Sequence, residues 1–365
     1  MPLVLYRKYR PQSFSEIIGQ EHIVQTLTNS ISTKSISHAY LFTGPKGSGK
    51  TTIARIFAKA INCQDTSSFE PCNKCDSCLE IMQSKSMDLI EIDAASHTGV
   101  DEVRELIEGI KFSPVKSKYK IFIIDECHQL SKSAANALLK TLEEPPSHAI
   151  FILATTEVHK MIPTIISRCQ RFDFKRLQIS EIIKKLEFIS KKENIKLEDS
   201  ALSLIAFNSR GSFRDAESLL DQCISFSGKT NIIKTDDIKE LLGIVEVSQI
   251  SQFVDYLIQK DTKGAILYLN SMADNGIDLQ EFTKTMIFYL RQSMLLKINP
   301  DFLNLQNSGL SEKEIEKIKS QIENLTNKDI QNILELFIDA ENKIKYALMP
   351  QLPIELAIVE ITVKE

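Results

Sequence analysis

Residues Ala39–Asn62 read AYLFTGPKGSGKTTIARIFAKAIN. An apolar run, Ala39–Thr43, leads into GPKGSGKT at Gly44–Thr51, which fits the G-x-x-x-x-G-K-[ST] pattern of a phosphate loop. Apolar residues at helical spacing follow over Thr51–Asn62. Strand, glycine-rich turn and helix in that order make a site for a nucleoside triphosphate. The loop Gly44, Pro45, Lys46, Gly47, Ser48, Gly49, Lys50, Thr51 and Thr52 is predicted to wrap the phosphates with its backbone N–H groups, all but Pro45 having one to donate. Lys50 neutralises the β/γ oxygens, the Thr51 hydroxyl reaches Mg²⁺, and the helix points its positive end at the anion.

Four further apolar runs extend the pattern: DLIEID (Asp88–Asp93), KIFIID (Lys120–Asp125), AIFILAT (Ala149–Thr155) and QRFDF (Gln170–Phe174). Most are separated by helical spacing, as in Val100–Ile110. Continuous apolar strands alternating with helices predict an α/β fold, a five-stranded parallel sheet with helices on both faces. After Phe174 the strand signals stop and amphipathic helices take over, including Asp278–Lys297 and Asp329–Leu348. The run Lys120–Asp125 ends on two carboxylates, Asp125 and Glu126. A strand-end aspartate beside a phosphate loop is the usual second Mg²⁺ partner, so Asp125 takes that role and Glu126 is placed to polarise an attacking water. The next strand ends on two hydroxyls, and Thr155 or Thr156 is expected to position that water or sense the γ-phosphate.

The stretch after the helix carries Cys63, Cys72, Cys75 and Cys78, a C-x₈-C-x₂-C-x₂-C pattern. Two-residue gaps bring successive thiolates to one knuckle, and four close a tetrahedron, which favours structural Zn²⁺ over an iron–sulfur cluster or free thiols. Such a site has no open position and so no water-activating role. Cys127, Cys169 and Cys223 are expected in the core. Seven cysteines, an odd number, argue against a disulfide framework. The N-terminus MPLVLYRKYR is charged where a secretory leader is apolar, and no run is long enough to span a membrane. A cytoplasmic protein is expected. A net charge of -4 over 365 residues does not suggest a free-standing nucleic-acid binder, which is usually basic, although a local basic face can sit within a near-neutral total.

Six stretches together carry a family resemblance: Tyr6–His22, His38–Cys63, Asp88–Leu106, Ala135–Pro146, Ile152–Phe172 and Gly211–Gln222. They resemble the gamma/tau subunits of the bacterial DNA polymerase III clamp loader, an AAA+ ATPase family. The likeness is dense over residues 1–225 and continues as a helical pattern to the end, near the length of the shorter gamma form. The extra C-terminal domains of the tau form are expected to be absent.

The resemblance implies three domains: an ATP-binding domain over 1–177 with a zinc module at 63–78, a helical lid over 178–243, and a C-terminal helical collar for oligomerisation over 244–365. It implies an ATPase motor whose partners are delta- and delta-prime-type subunits and further copies of the chain, in a five-membered ring. ATP binding opens a sliding clamp, and primer–template DNA triggers hydrolysis. Accessory subunits that contact single-stranded-DNA-binding protein are compatible with this assembly, a membrane is not. The polymerase active site lies elsewhere in that holoenzyme. Ser167–Cys169, SRC, matches the motif whose arginine, here Arg168, reaches a neighbour's ATP in trans. Arg214 of GSFR matches the family's sensor arginine on its own ATP, and Tyr6–Pro11 the segment beside the adenine. Family members carry DNA-facing basic residues where this chain has His97 and Gly99; Thr98 and Arg104 are the contacts left there. The alternative is another AAA+ DNA-processing ATPase, a helicase or a clamp-loader-like scaffold. The intact Lys50, Thr51, Asp125 and Glu126 weigh against an inactive scaffold, and the four cysteines against the small clamp-loader subunits of archaea and eukaryotes; a helicase is told from a loader by gel filtration with the sliding clamp.

Overall fold

The computed structural model describes residues 3–96, 108–227, 232–243, 245–299, 312–323 and 325–363. The chain divides into two units, Met1–Thr235 and Asp236–Glu365.

In the first unit, strands β1 (Ala39–Thr43), β2 (Leu89–Asp93), β3 (Lys120–Asp125), β4 (Ala149–Thr155) and β5 (Gln170–Asp173) form one parallel sheet in the order β2-β3-β4-β1-β5. The longer helices α2 (Glu21–Ser32), α3 (Lys50–Ile61) and α5 (Lys132–Glu143) cover it; of the short ones, α1 (Leu5–Lys8) packs on the later helix Phe213–Ser227, α4 (Asp76–Met82) on α3 and α6 (Pro163–Ile166) on α5. Both faces are covered. Tyr40 and Phe42 pack with Leu27, Ile53 and Phe57 on one side; Leu41, Phe122 and Phe151 pack with Leu138 on the other. This two-sided burial is why the central strands read as unbroken apolar runs, each large side chain contributing about 1.5–3 kcal/mol. The sheet order puts the C-terminal ends of β1, β3 and β4 next to one another. Asp88 precedes β2 and anchors the approach to β3: its carboxylate accepts the backbone N–H groups of Val115, Lys116 and Ser117 at 2.7–2.9 Å. Those bonds hold its pKa below the ordinary carboxylate value against the opposing effect of burial.

Helices α7 (Ile179–Glu193), α8 (Asp199–Asn208) and α9 (Phe213–Ser227) complete the first unit. A capping box opens α7, Gln178 and Glu181 each satisfying the other's backbone N–H. Contrary to the expectation that strands end at Phe174, β6 (Lys196–Leu197) and β7 (Ile232–Ile233) pair in parallel. Two-residue strands have no periodicity to read; they form because α8 and α9 bring their ends together. Of the helix expected over Val100–Ile110, residues 108–110 are helical. The remainder, with His97, Thr98, Gly99 and Arg104, lies outside the described residues.

Helix α10 (Thr235–Leu242) opens the second unit, which continues with α11 (Val247–Ile258), α12 (Thr262–Asp274), α13 (Leu279–Ile298), α14 (Glu312–Ile322), α15 (Asn327–Ile344) and α16 (Leu352–Val363). Its core centres on Phe253, Phe282, Met286 and Phe337, all fully buried. No described helix is long and apolar enough to cross a membrane.

Candidate nucleotide-binding site

A cleft of about 380 Å³ opens at the C-terminal ends of β1 and β3. One wall is the loop Lys46–Thr52, leading into α3. The sharp reversals of this loop demand glycine. Gly44 has φ +146°, and a Cβ there would lie 2.5 Å from the Phe174 carbonyl oxygen; at Gly47, φ +74°, it would collide with Ser212. Lys50 is buried, and its ammonium donates to the carbonyls of Gly44 and Pro45 at 2.8 and 2.9 Å. Burial lowers its pKa, while Glu126 and then Asp125 oppose the shift. The loop thus holds a desolvated cation on its own carbonyls, in position to transfer to anionic oxygens.

Thr51 Oγ1 donates to Asp125 Oδ2 at 2.6 Å. A hydroxyl and a carboxylate in contact are hard oxygen donors of the kind Mg²⁺ takes with one or two protein ligands, so the pair fits that ion. Glu126, the next residue, adopts φ +46°, which turns its side chain out of the strand direction into the cleft. Its carboxylate accepts from Thr156 Oγ1 at 2.9 Å and stands 3.4 Å from His128 Nδ1. The two strand-end hydroxyls are therefore separated in place. Thr155 is fully buried, bonded to His128 Nδ1 at 3.0 Å, and does not line the cleft; Thr156 is the one that touches Glu126.

The opposite walls come from distant segments. Tyr6, Arg10, Pro11, Glu16, Ile17 and Ile18 contribute from the N-terminal stretch, and Lys185, Phe213, Arg214 and Glu217 from α7 and α9. The Arg214 guanidinium lies over the Tyr6 ring, 5.1 Å from its centre. The Phe213 N–H donates to the Gly47 carbonyl at 3.3 Å, so α9 begins on the phosphate loop itself. Arg168 is elsewhere: it pairs with Glu143 at 2.6 Å, donates to the Thr164 carbonyl, and is not part of this cleft. Tyr6, Arg10 and Pro11 come from the segment expected beside the adenine, without Arg10 having been singled out, whereas Lys185 and Glu217 were missed from the sequence, since charged residues on an amphipathic helix are ordinarily solvated.

The sulfurs of Cys63, Cys72, Cys75 and Cys78 all lie within 4.8 Å of one another. The Cys63–Cys75 and Cys72–Cys78 separations are 4.0 and 3.9 Å. Tetrahedral zinc with bonds of about 2.3 Å requires sulfurs about 3.8 Å apart, so the quartet fits the ion. Backbone N–H groups of Lys74 and Cys75 aim at the Cys72 sulfur and pull its pKa to about 6, while burial raises Cys63 and Cys78. The group also braces the cleft. Glu70, inside the module, accepts from the Phe14 and Ser15 N–H groups at 2.8 Å each, and buried Lys59 donates to Gln12 Oε1 at 3.0 Å. Both ties hold the segment that supplies Glu16, Ile17 and Ile18 to the cleft wall.

Residues 19–178 match the family described as DNA polymerase III, delta subunit, residues 181–229 the ATPase lid domain of the DNA polymerase III clamp loader subunit, and residues 233–364 domain III of DNA polymerase III subunits gamma and tau. The chain is 44% identical to DNA polymerase III subunit tau of Bacillus subtilis over 98% of its own length and 62% of that protein's. It is 37% identical to subunit gamma of Buchnera aphidicola (subspecies Acyrthosiphon pisum) over 98% of both chains. Against subunit tau of Escherichia coli it is 41% identical over 81% of its length and 46% of the other's. In three dimensions it is similar to RuvB, the Holliday junction branch migration motor of Thermotoga maritima. The TM-score is 0.50 at 21% identity, covering 74% of this chain and 86% of RuvB, a likeness of fold alone.

Proposed function

Because this chain belongs to the family of DNA polymerase III gamma and tau subunits, we propose that it is an ATPase subunit of the bacterial clamp loader, coupling ATP binding and hydrolysis to placement of a sliding clamp on primer–template DNA. The observation that carries the reading is convergence: a phosphate loop, a Thr51–Asp125 pair fit for Mg²⁺, a held carboxylate at Glu126 and a lid arginine at Arg214 meet in one cleft. Lys50, Thr51 and Asp125 would bind and orient the triphosphate with its metal ion, Glu126 would orient the attacking water, and Thr156 with His128 would hold Glu126. Arg214, on a helix that starts against the loop, would couple the lid's angle to the γ-phosphate. Arg168 would act on a neighbouring subunit's nucleotide, a reading favoured by its not lining its own cleft.

In this proposal residues 1–177 are the ATPase domain, 178–243 the lid, and 244–365 the collar that joins copies of the chain to delta- and delta-prime-type partners in a five-membered ring in the cytoplasm. The second unit supports a collar. Leu352, Leu356, Val359 and Val363 are 46, 60, 41 and 62% exposed and fall on one face of α16, with Leu348 and Met349 just before it. A stripe of this kind on a helix marks an interface. The test is ATP turnover by the chain alone, then with partner subunits, sliding clamp and primed DNA. Turnover is expected to rise in the full mixture, and Lys50→Ala is expected to weaken ATP binding about 10²–10³-fold. Turnover indifferent to clamp and primed DNA would overturn the clamp-loader reading.

The four thiolates hold structural zinc in the same proposal. Elemental analysis of the purified chain is expected to give one zinc per chain, falling to none in Cys75→Ser with loss of the brace on the cleft wall. Iron, or no metal at all, in the unaltered protein would remove the zinc module.

A further inference from the structure

Beyond the loop and the carboxylates, the cleft holds a buried charge pair that phosphate chemistry does not use. Lys185 on α7 and Glu217 on α9 both line it, each less than one-tenth exposed, with Lys185 Nζ 4.0 Å from Glu217 Oε1. The lysine has another partner, the Tyr9 carbonyl at 2.8 Å. Among the described residues the Glu217 carboxylate has no partner within hydrogen-bonding distance, since 4.0 Å is too long. A carboxylate has about four acceptor positions, and those of Glu217, in a side chain largely buried but lining the cleft, are left for a donor that enters it. Glu217 therefore faces the cleft as an acceptor in need of a donor.

The position of a bound nucleotide identifies that donor. With the triphosphate on Lys46–Thr52 at the start of α3, the nucleoside lies toward the remaining walls, where Pro11, Ile17, Ile18 and Phe213 offer apolar surface for the faces of a base. Purines differ at their 6-position: adenine carries an amino group that donates, whereas guanine and hypoxanthine carry a carbonyl that accepts. A carboxylate pairs with the first and repels the second.

We propose that Glu217 reads the base, accepting a hydrogen bond from the 6-amino group of adenine while Lys185 holds its charge in place, so that the cleft selects ATP over GTP. Burial pushes the Glu217 carboxyl up to about 7, opposed by Lys185 and Arg10; a donor from the ligand adds to them in favouring the ionised acceptor. This inference rests on the nucleotide-binding reading above.

The test is calorimetric titration of the full chain with the Mg²⁺ complexes of ATP, GTP and inosine triphosphate. Inosine triphosphate confines the change to the N1–C6 edge, because it lacks the 2-amino group of guanine; its N1–H replaces the N1 acceptor of adenine as its 6-carbonyl replaces the amino group. The unaltered chain is expected to bind ATP at least about 10²-fold more tightly than inosine triphosphate, the size of penalty set by an unpaired buried polar group. Glu217→Gln keeps the shape and can donate to a carbonyl by turning its amide, so the ratio is expected to fall about tenfold or more. Lys185→Met, which releases Glu217 without removing it, is expected to lower the ratio less. Each variant's melting curve is recorded alongside, and Lys185→Met serves if Glu217→Gln does not fold. A ratio unchanged in a folded variant, with ATP still bound, would overturn base reading and leave the nucleotide site standing. Failure of the unaltered chain to bind any of the three would overturn both.

Discussion

Glu126→Gln is expected to bind ATP with unchanged affinity while turnover falls about 10²–10⁴-fold, the usual contribution of a positioned general base. The substitution keeps the side chain's size and leaves an acceptor for the Thr156 hydroxyl, which bonds Glu126 at 2.9 Å. It removes the charge that polarises water. Affinity should survive because Lys50, Thr51 and Asp125, which would carry the phosphate and metal contacts in the proposed function, are untouched. Filter binding and single-turnover hydrolysis of labelled ATP separate the two quantities. Loss of binding with normal residual turnover would make Glu126 a structural residue and place the base elsewhere.

Arg168→Ala is expected to leave ATP affinity of the isolated chain intact and to slow hydrolysis in the assembled ring about 10³-fold or more, the scale of an arginine supplied in trans. Within its own subunit the side chain is spent on Glu143 and the Thr164 carbonyl, at a partly exposed ion pair whose loss costs under about 1 kcal/mol of stability. Mixing distinguishes cis from trans. Subunits carrying Arg168→Ala are combined with subunits carrying Lys50→Ala, and turnover is compared with each alone. A trans role gives partial rescue, because some interfaces then join an intact phosphate loop to an intact Arg168. Absence of rescue in rings shown to assemble would reduce Arg168 to a structural arginine.

What could be read from the chain and what could not divide along a physical line. The phosphate loop, its strand and its helix were legible because they rest on neighbouring residues: backbone N–H groups gathered by glycines, and a helix whose apolar face repeats along one segment. The cysteine quartet was legible for the same reason, its two-residue gaps making one knuckle in the chain. Asp125 and Glu126 were read from the end of an apolar strand. Two strand-end hydroxyls, by contrast, looked equivalent in sequence, and alternation along the chain could not say which would be buried. Only the turn after β4, with His128 packed beneath it, put Thr155 inside and Thr156 on Glu126. The two-residue β6–β7 pair was invisible because nothing repeats in it. Arg10, Lys185 and Glu217 belong to segments far apart in the chain, each an ordinary surface-type residue beside its own neighbours. Folding removes water from them together, and that desolvation, a property of the packed arrangement and of no single segment, makes them part of the cleft. Local hydrogen bonding and periodicity determined where a triphosphate and its metal ion would be held; the tertiary structure alone brought Lys185 and Glu217 to the wall of the same cleft.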